Sequence, residues 1–318
     1  MKSNFFGRTI ILILVLLMVC SGFVFAGGQK DKSDGKLTIG LAVPNLQADF
    51  FSQIKDSVLA QAKNEGTVVI LVDAKNDGAT QVNQVQDLIA RKIDGLIYIP
   101  AGASAASVPV QLAKDAKIPV ICVDRFPPDM RGDTFIASDS VNSAKILGEW
   151  VIKQTGGKGR VAVIHGQMGT TPQVDRTNGW KQAMAKAPGM VTVAENSADW
   201  DQAKAFTVAQ DMLQKDPGIT VFFGQCDTMA MGAARAVELA KLDHKVLVVG
   251  FDGDVAALKE LKNSAFDATC TQQTQLMGKL AYESVKNAIA GKTLPPDQLQ
   301  LATLTTSENV DQFIANHP

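Results

Sequence analysis

From Leu37 onward the chain alternates two hydrophobic rhythms. Short apolar runs such as Leu37-Thr-Ile-Gly-Leu-Ala-Val43 are followed by longer stretches in which apolar residues recur every three or four positions. Phe51, Ile54, Val58, Leu59 and Ala62 recur at a helical spacing over Phe50–Glu65, where a helix is expected. The same pattern predicts strands at Thr67–Val72, Gly95–Ile99 and Pro119–Val123, with helices at Ala79–Arg91 and Ser104–Ala116 between them. A second series opens with a helix over Ser140–Thr155. It continues as strand Val161–His165, helix Thr177–Ala187, strand Met190–Ala194, helix Gln202–Gln214 and strand Ile219–Gly224. Helix Thr228–Ala240, strand Val246–Phe251, helix Val255–Lys262 and strand Phe266–Thr271 complete it. An amphipathic helix over Gln275–Ala290, a Pro295-Pro296 loop and one last strand near Leu299–Thr305 follow.

Strands that are apolar throughout belong in parallel sheets covered on both faces, and right-handed βαβ connections wind each series into one such sheet. The expected fold is therefore α/β, with two doubly wound parallel-sheet lobes. The long late helix needs a sheet to cover, and the first lobe has the open flank. The chain is thus expected to cross between lobes near Ser138-Asp139, near Gln272 and near Leu301. That gives a first lobe of residues 37–138 plus 273–301, a second of 139–272 plus 302–318, and a multi-strand hinge able to close both on a ligand. Two apolar strands stop at charged residues: Pro119–Val123 at Asp124-Arg125, and Val246–Phe251 at Asp252. Open parallel sheets bind ligands beyond their strand C-termini, so these charges are expected to face one.

Composition narrows the class. The 318 residues exceed one ordinary core, and 31 basic against 32 acidic residues leave no footprint for a polyanion, so no nucleic acid is expected. Lys2 and Arg8, the apolar run Ile10–Val19 and the small residues before Gly27 read as a signal peptide over residues 1–26, cleaved after Ala26. The alternative is lipid attachment at Cys20. Residues 27–36, polar and Gly-rich, read as a disordered leader. The remaining Cys122, Cys226 and Cys270 have no CxxC or His spacing suited to zinc, and no metal or cofactor is expected.

Candidate chemistry is mostly negative. Gly156-Gly-Lys-Gly159 precedes a strand rather than following one, which fails the context of a dinucleotide fingerprint; it reads as a helix-to-strand turn. Gly166–Gly169 carries only a weak anion-loop signal. His165 is the one histidine at a strand C-terminus, with no GxSxG beside it, and reads as a polar lining residue. Asp124, Asp227 and Asp252 all fall at strand ends, but Arg125 and Arg176 on the same rim favour ionised carboxylates that accept from hydroxyls. Phe50-Phe51 in one lobe and Trp200 in the other fall at strand C-terminal rims, where they would sandwich a flat polar ligand. This points to binding without turnover.

These segments resemble the periplasmic pentose and hexose binding proteins of type I, nearest to the ribose binders. The resemblance spans Lys36 to about Thr306 and rests on Phe50-Phe51, Pro119–Arg125, Ile136–Asp139, Gly169-Thr170 with Arg176, Ala198–Asp201, Gln225–Gly232, Val248–Gly253 and Ala268–Gln272, in order and correctly spaced. It implies that Asp124 and Arg125 bond sugar hydroxyls from one lobe, Arg176 and Asp252 from the other, and Gln272 from the hinge. Phe50, Phe51 and Trp200 would stack on the ring, with Trp200 where ribose binders commonly carry phenylalanine. Gln47, Ser138, His165 and Asp227 would stand behind. Ala48 and Cys226 replace two asparagines of the ribose pattern. A buried hydroxyl without its partner costs roughly 1–3 kcal/mol, so the expected ligand is not ribose but a hexose, polyol or furanose-like compound.

The resemblance further implies an extracytoplasmic monomer that delivers its sugar to the membrane subunits of an ABC importer, with docking to a chemoreceptor as a second output. A sensor-kinase co-receptor and a secreted sugar-processing enzyme are the alternatives. A repressor of the same fold would need an N-terminal helix-turn-helix where the signal segment stands.

Overall fold

The computed structural model describes residues 36–263 and 266–318. The expected signal peptide, the alternative at Cys20 and nearly all of the expected leader lie outside the described residues. The remaining chain forms two six-stranded sheets. The first runs in the order β11-β5-β4-β3-β1-β2. Its strands are β1 (Thr38–Val43), β2 (Val68–Asp73), β3 (Gly95–Tyr98), β4 (Val120–Val123), β5 (Thr134–Ser138) and β11 (Asp297–Gln300). The second runs β12-β10-β9-β8-β6-β7. It comprises β6 (Lys158–His165), β7 (Gly189–Ser197), β8 (Val221–Gly224), β9 (Leu247–Val249), β10 (Ala268–Thr271) and β12 (Thr303–Thr306).

Each sheet is covered on both faces, as the unbroken apolar strands require. Ile39, Leu41 and Val43 of β1 point to one side, against helices α1 (Asp49–Glu65) and α9 (Thr274–Ile289). Ala42 points to the other, toward α2 (Gly78–Ala90) and α3 (Ser107–Asp115). The second sheet repeats this two-residue alternation. Val161 and Val163 meet α4 (Ser140–Gln154) and α5 (Thr171–Met184), while Ala162 and Ile164 meet α6 (Gln202–Lys215) and α7 (Asp227–Ala240). Helix starts are set locally: the side chains of Asp77, Asp139 and Asp201 accept from the free amides of Thr80, Asn142 and Lys204. Gly66, at φ 70°, ends α1 in the left-handed conformation that glycine adopts without strain.

Three passages join the sheets. β5 leads into α4, β10 leads into α9, and β11 is followed after two residues by β12. Two sequence expectations change here. The single late strand near Leu299–Thr305 is two, one in each sheet, because the chain crosses at Leu301-Ala302. β12 pairs antiparallel with β10 at the edge of the second sheet. The chain also has a strand, β5, that the helical and apolar rhythms did not single out, parallel to β4 and β11.

The fifth helix begins at Thr171, not Thr177, with Pro172 in its first turn, where a missing amide hydrogen costs nothing. This puts Arg176 on a helix rather than on a loop. The remaining helices, α8 (Val255–Lys262) and α10 (Val310–Ala315), pack together at the end of the second sheet.

Candidate functional site

The carboxyl ends of both sheets open onto one cavity of about 590 Å³. From the first sheet come Phe50, Phe51 and Ala48 at the start of α1, and Asp124-Arg125 after β4. From the second come Arg176, Trp200, Cys226 and Asp252. The sequence-predicted ligand set thus converges, Gln272 excepted. The two sides also touch around the cavity mouth. Thr171 Oγ1 accepts from the Phe126 amide at 3.3 Å on one flank, and Asp49 Oδ2 accepts from the Val255 amide at 3.0 Å on the other.

Strand ends deliver these groups by unusual backbone. Asp124 sits at φ 60°, Trp200 at 69° and Asp252 at 135°, all in the region that side-chain-bearing residues avoid. Each such residue costs on the order of 1–3 kcal/mol, which the surrounding hydrogen bonds hold in place. The amide of Asp124 donates to Ile136 O at 2.8 Å, and that of Asp252 to Cys270 O at 3.0 Å.

The charges are paired within each lobe. Arg125 Nε lies 3.1 Å from Asp124 Oδ2, and Arg176 Nη2 lies 3.2 Å from Asp252 Oδ1. Arg176 is further fixed by Gln225 O at 2.5 Å and by its stack on Phe251, 3.9 Å from the ring centre, while its Nε is buried without a partner. Arg125 lies over Phe51 at 5.4 Å and over Trp200 at 5.8 Å, so its cation approaches aromatic faces from both lobes. Trp200 presses flat against Gly166, and its indole Nε1 is also buried and unpartnered.

Burial dominates the acid–base behaviour. It raises Asp252 to about 7, helped by the charges of Asp227 and Asp124 and opposed by Arg176. Asp227 is raised to about 6 by its own burial, although Thr269 and the amides of Gly253 and Asp254 all donate to it. Burial lowers Arg125, an effect that Asp124 partly offsets. The Cys226 thiol is pushed far up, mainly by burial, and stays neutral at physiological pH.

The outer positions divide. Gln47 and Ala48 line the cavity. His165 does not: its Nε2 is 2.8 Å from Glu195 Oε2, on the β7 side of the sheet, where the parallel register sends it. Asp227 lies behind Asp252 and serves the backbone turn at Gly253-Asp254. Ser138 is buried at the hinge end of β5 with an unpartnered hydroxyl. Gln272 stands back from the cavity because its Nε2 is given to Asp252 Oδ1 at 2.6 Å; its Oε1 is buried and unbonded.

Several lining residues escaped the sequence reading, Asn45, Gln167 and Asp254 among them. Asn45 accepts from the amides of Gln47 and Ala48, an Asx turn that Pro44-Asn45 after a strand would have signalled. Gln167 comes two residues after the end of β6, beyond Gly166. Asp254 is indistinguishable in sequence from a helix cap. Of the cysteines, Cys122 and Cys270 lie in the cores, as small apolar side chains do.

Two α/β lobes enclosing a polar, aromatic-lined cleft define a solute-binding architecture. A sequence model described as a periplasmic binding protein domain matches residues 39–293, and the chain belongs to that family. Among its relatives is the ribose import binding protein RbsB of Bacillus subtilis strain 168. It is 35% identical over 283 residues, 88% of this chain and 92% of that protein. A D-ribose/D-allose-binding protein of Pseudomonas aeruginosa is 30% identical over 293 residues, covering 89% of this chain and 92% of that one. A solved ABC transporter solute binding protein from Bacillus halodurans C-125, with bound myo-inositol, superposes with a TM-score of 0.82. It shares 29% identity over 88% of this chain and 98% of its own.

Proposed function

We propose that the protein is an extracytoplasmic receptor that binds a small carbohydrate, a pentose, hexose or polyol, between its lobes and hands it to the membrane subunits of an ABC importer. One observation carries this reading: Asp124-Arg125 and Arg176-Asp252 approach the same cavity from opposite lobes, between aromatic faces also contributed by both. Carboxyls and guanidiniums fixed in pairs offer acceptors and donors to hydroxyls, while Phe50, Phe51 and Trp200 suit the C–H faces of a ring. The volume of about 590 Å³ falls within the usual range for small-molecule sites. The ribose, allose and inositol named for the relatives support the ligand class.

In this reading the lobes are residues 37–138 plus 273–301 and 139–272 plus 302–318, and closure follows from the ligand touching both. Gln272 acts from the hinge by holding Asp252. Ala48 and Cys226 decide which sugar fits. The protein is a receptor, not an enzyme, exported by a signal peptide cleaved after Ala26. A thermal-shift screen of pentoses, hexoses and polyols tests it. Ligand at 100 times its dissociation constant adds about 2.7 kcal/mol, or roughly 5–10 °C for lobes of this size. A panel without a single shift refutes the carbohydrate reading.

A further inference from the structure

Asp254 stands at the N-cap of α8, where an aspartate ordinarily bonds the free amides of the first turn. Its side chain makes no such bond. The first amide of the helix, that of Val255, donates to Asp49 from the other lobe, at 3.0 Å. The Asp254 carboxyl therefore has no capping role. Among the described residues it has no hydrogen-bond partner at all, although the residue is only 7% exposed and lines the cavity.

The balance of charge around the cavity floor shows what is missing. Arg125 answers Asp124 at 3.1 Å and Arg176 answers Asp252 at 3.2 Å. Asp199 is answered by Lys204 at 3.3 Å and Asp201 caps α6, which leaves Asp254 as the lining carboxyl without a partner; burial, with Asp252, Asp227 and Asp49 beside it, raises it well above an ordinary carboxyl, and Arg176 opposes this. Among the described residues no group of His, Cys, Asp and Glu is arranged to hold a metal ion in its place. The counter-charge must then be a proton or belong to the ligand.

We propose that the ligand supplies it: Asp254 receives a protonated amino group, so the cleft selects an aminated sugar or cyclitol over its hydroxyl counterpart. The proposal rests on the carbohydrate reading and sharpens its ligand class. An ammonium in contact with Asp254 makes a charge-assisted bond, about twice as strong as the neutral one a hydroxyl offers.

Calorimetric titration at pH 7 with matched pairs tests it: glucose and glucosamine, galactose and galactosamine, mannose and mannosamine, myo-inositol and an amino-inositol. In at least one pair the aminated member should bind about tenfold tighter or more. Asp254→Asn, with Asp254→Thr as a second variant should the first fail to fold, should abolish that preference while changing the affinity of the neutral member much less. Neutral members binding as tightly as aminated ones in every pair overturn the proposal and leave the carbohydrate reading standing. So does a preference that survives both substitutions. If no member of any pair binds, the proposal falls, and the carbohydrate reading is decided by the pentoses and polyols of the thermal-shift screen.

Discussion

Gly166→Ala isolates the contribution of Trp200 without touching a ligand-facing side chain. A Cβ at position 166 would lie 2.0 Å from Cη2, 2.1 Å from Cζ2 and 2.2 Å from Cζ3 of the indole. The backbone cannot retreat easily, because the Gly166 amide donates to Gln225 Oε1 at 3.0 Å and its carbonyl accepts from Ser197 Oγ at 2.8 Å. The ring must therefore move, by more than an ångström, away from the sheet end and into the cleft. Losing an aligned aromatic face forfeits roughly 0.5–1.5 kcal/mol, and about 40 Å² of lost apolar contact forfeits roughly 1 kcal/mol more. The sum, about 1.5–2.5 kcal/mol, weakens binding by roughly ten- to seventyfold.

Calorimetric titration with the tightest sugar from the screen reads this directly, and urea unfolding of the ligand-free protein serves as control. The unfolding midpoint should change less than the affinity, since position 166 is not in the left-handed region and the three atoms nearest the new Cβ all belong to the Trp200 ring. Affinity within twofold of the unsubstituted protein would refute the reasoning, for Trp200 would then not be part of the recognition surface.

Other perturbations separate ligand contacts from support. Asp227→Ala leaves the amides of Gly253 and Asp254 and the Thr269 hydroxyl without their acceptor, and should cost about 3 kcal/mol or more in urea unfolding. Asp252 holds a proton in the folded protein that the unfolded chain has released between about pH 4 and pH 7. Its contribution to stability is therefore fullest at low pH and is lost as pH rises through that window, so the protein should lose stability relative to Asp252→Asn from pH 5 to pH 8, as followed by unfolding midpoints. Asp49→Ala removes a contact between the lobes that touches no ligand; apparent affinity should fall several-fold, with a larger radius of gyration at subsaturating sugar in X-ray scattering. Ala48→Asn together with Cys226→Asn should raise ribose affinity by a factor of tens or more, measured by titration.

Much of this site was legible because each charged end of a parallel strand has only one place to go. Asp124, Arg125 and Asp252 follow apolar strands without a break, and the geometry of an open sheet carries them to the cleft. Phe50 and Phe51 were legible for the same reason, one turn later. What stayed hidden depends on contacts between distant segments. Nothing local distinguishes Asp254 from a helix cap, although its side chain makes no capping bond and Asp49, 206 positions before Val255, accepts from the Val255 amide. His165 sits at a strand end like the others, yet Glu195 on the neighbouring strand draws it away from the cleft. The division of the last stretch between two sheets could not be read either, because Leu299, Leu301 and Leu304 follow one another with no Gly or Pro between them to mark the crossing.

The central claim is that a carbohydrate is what the two lobes share. A crystal structure grown with the tightest sugar from the screen tests it most directly. The account predicts the ring between Trp200 and the Phe50-Phe51 pair, with hydroxyls bonded to Asp124 and Arg125 on one side and Arg176 and Asp252 on the other. A sugar bound elsewhere, or held by residues of one lobe alone, would contradict it.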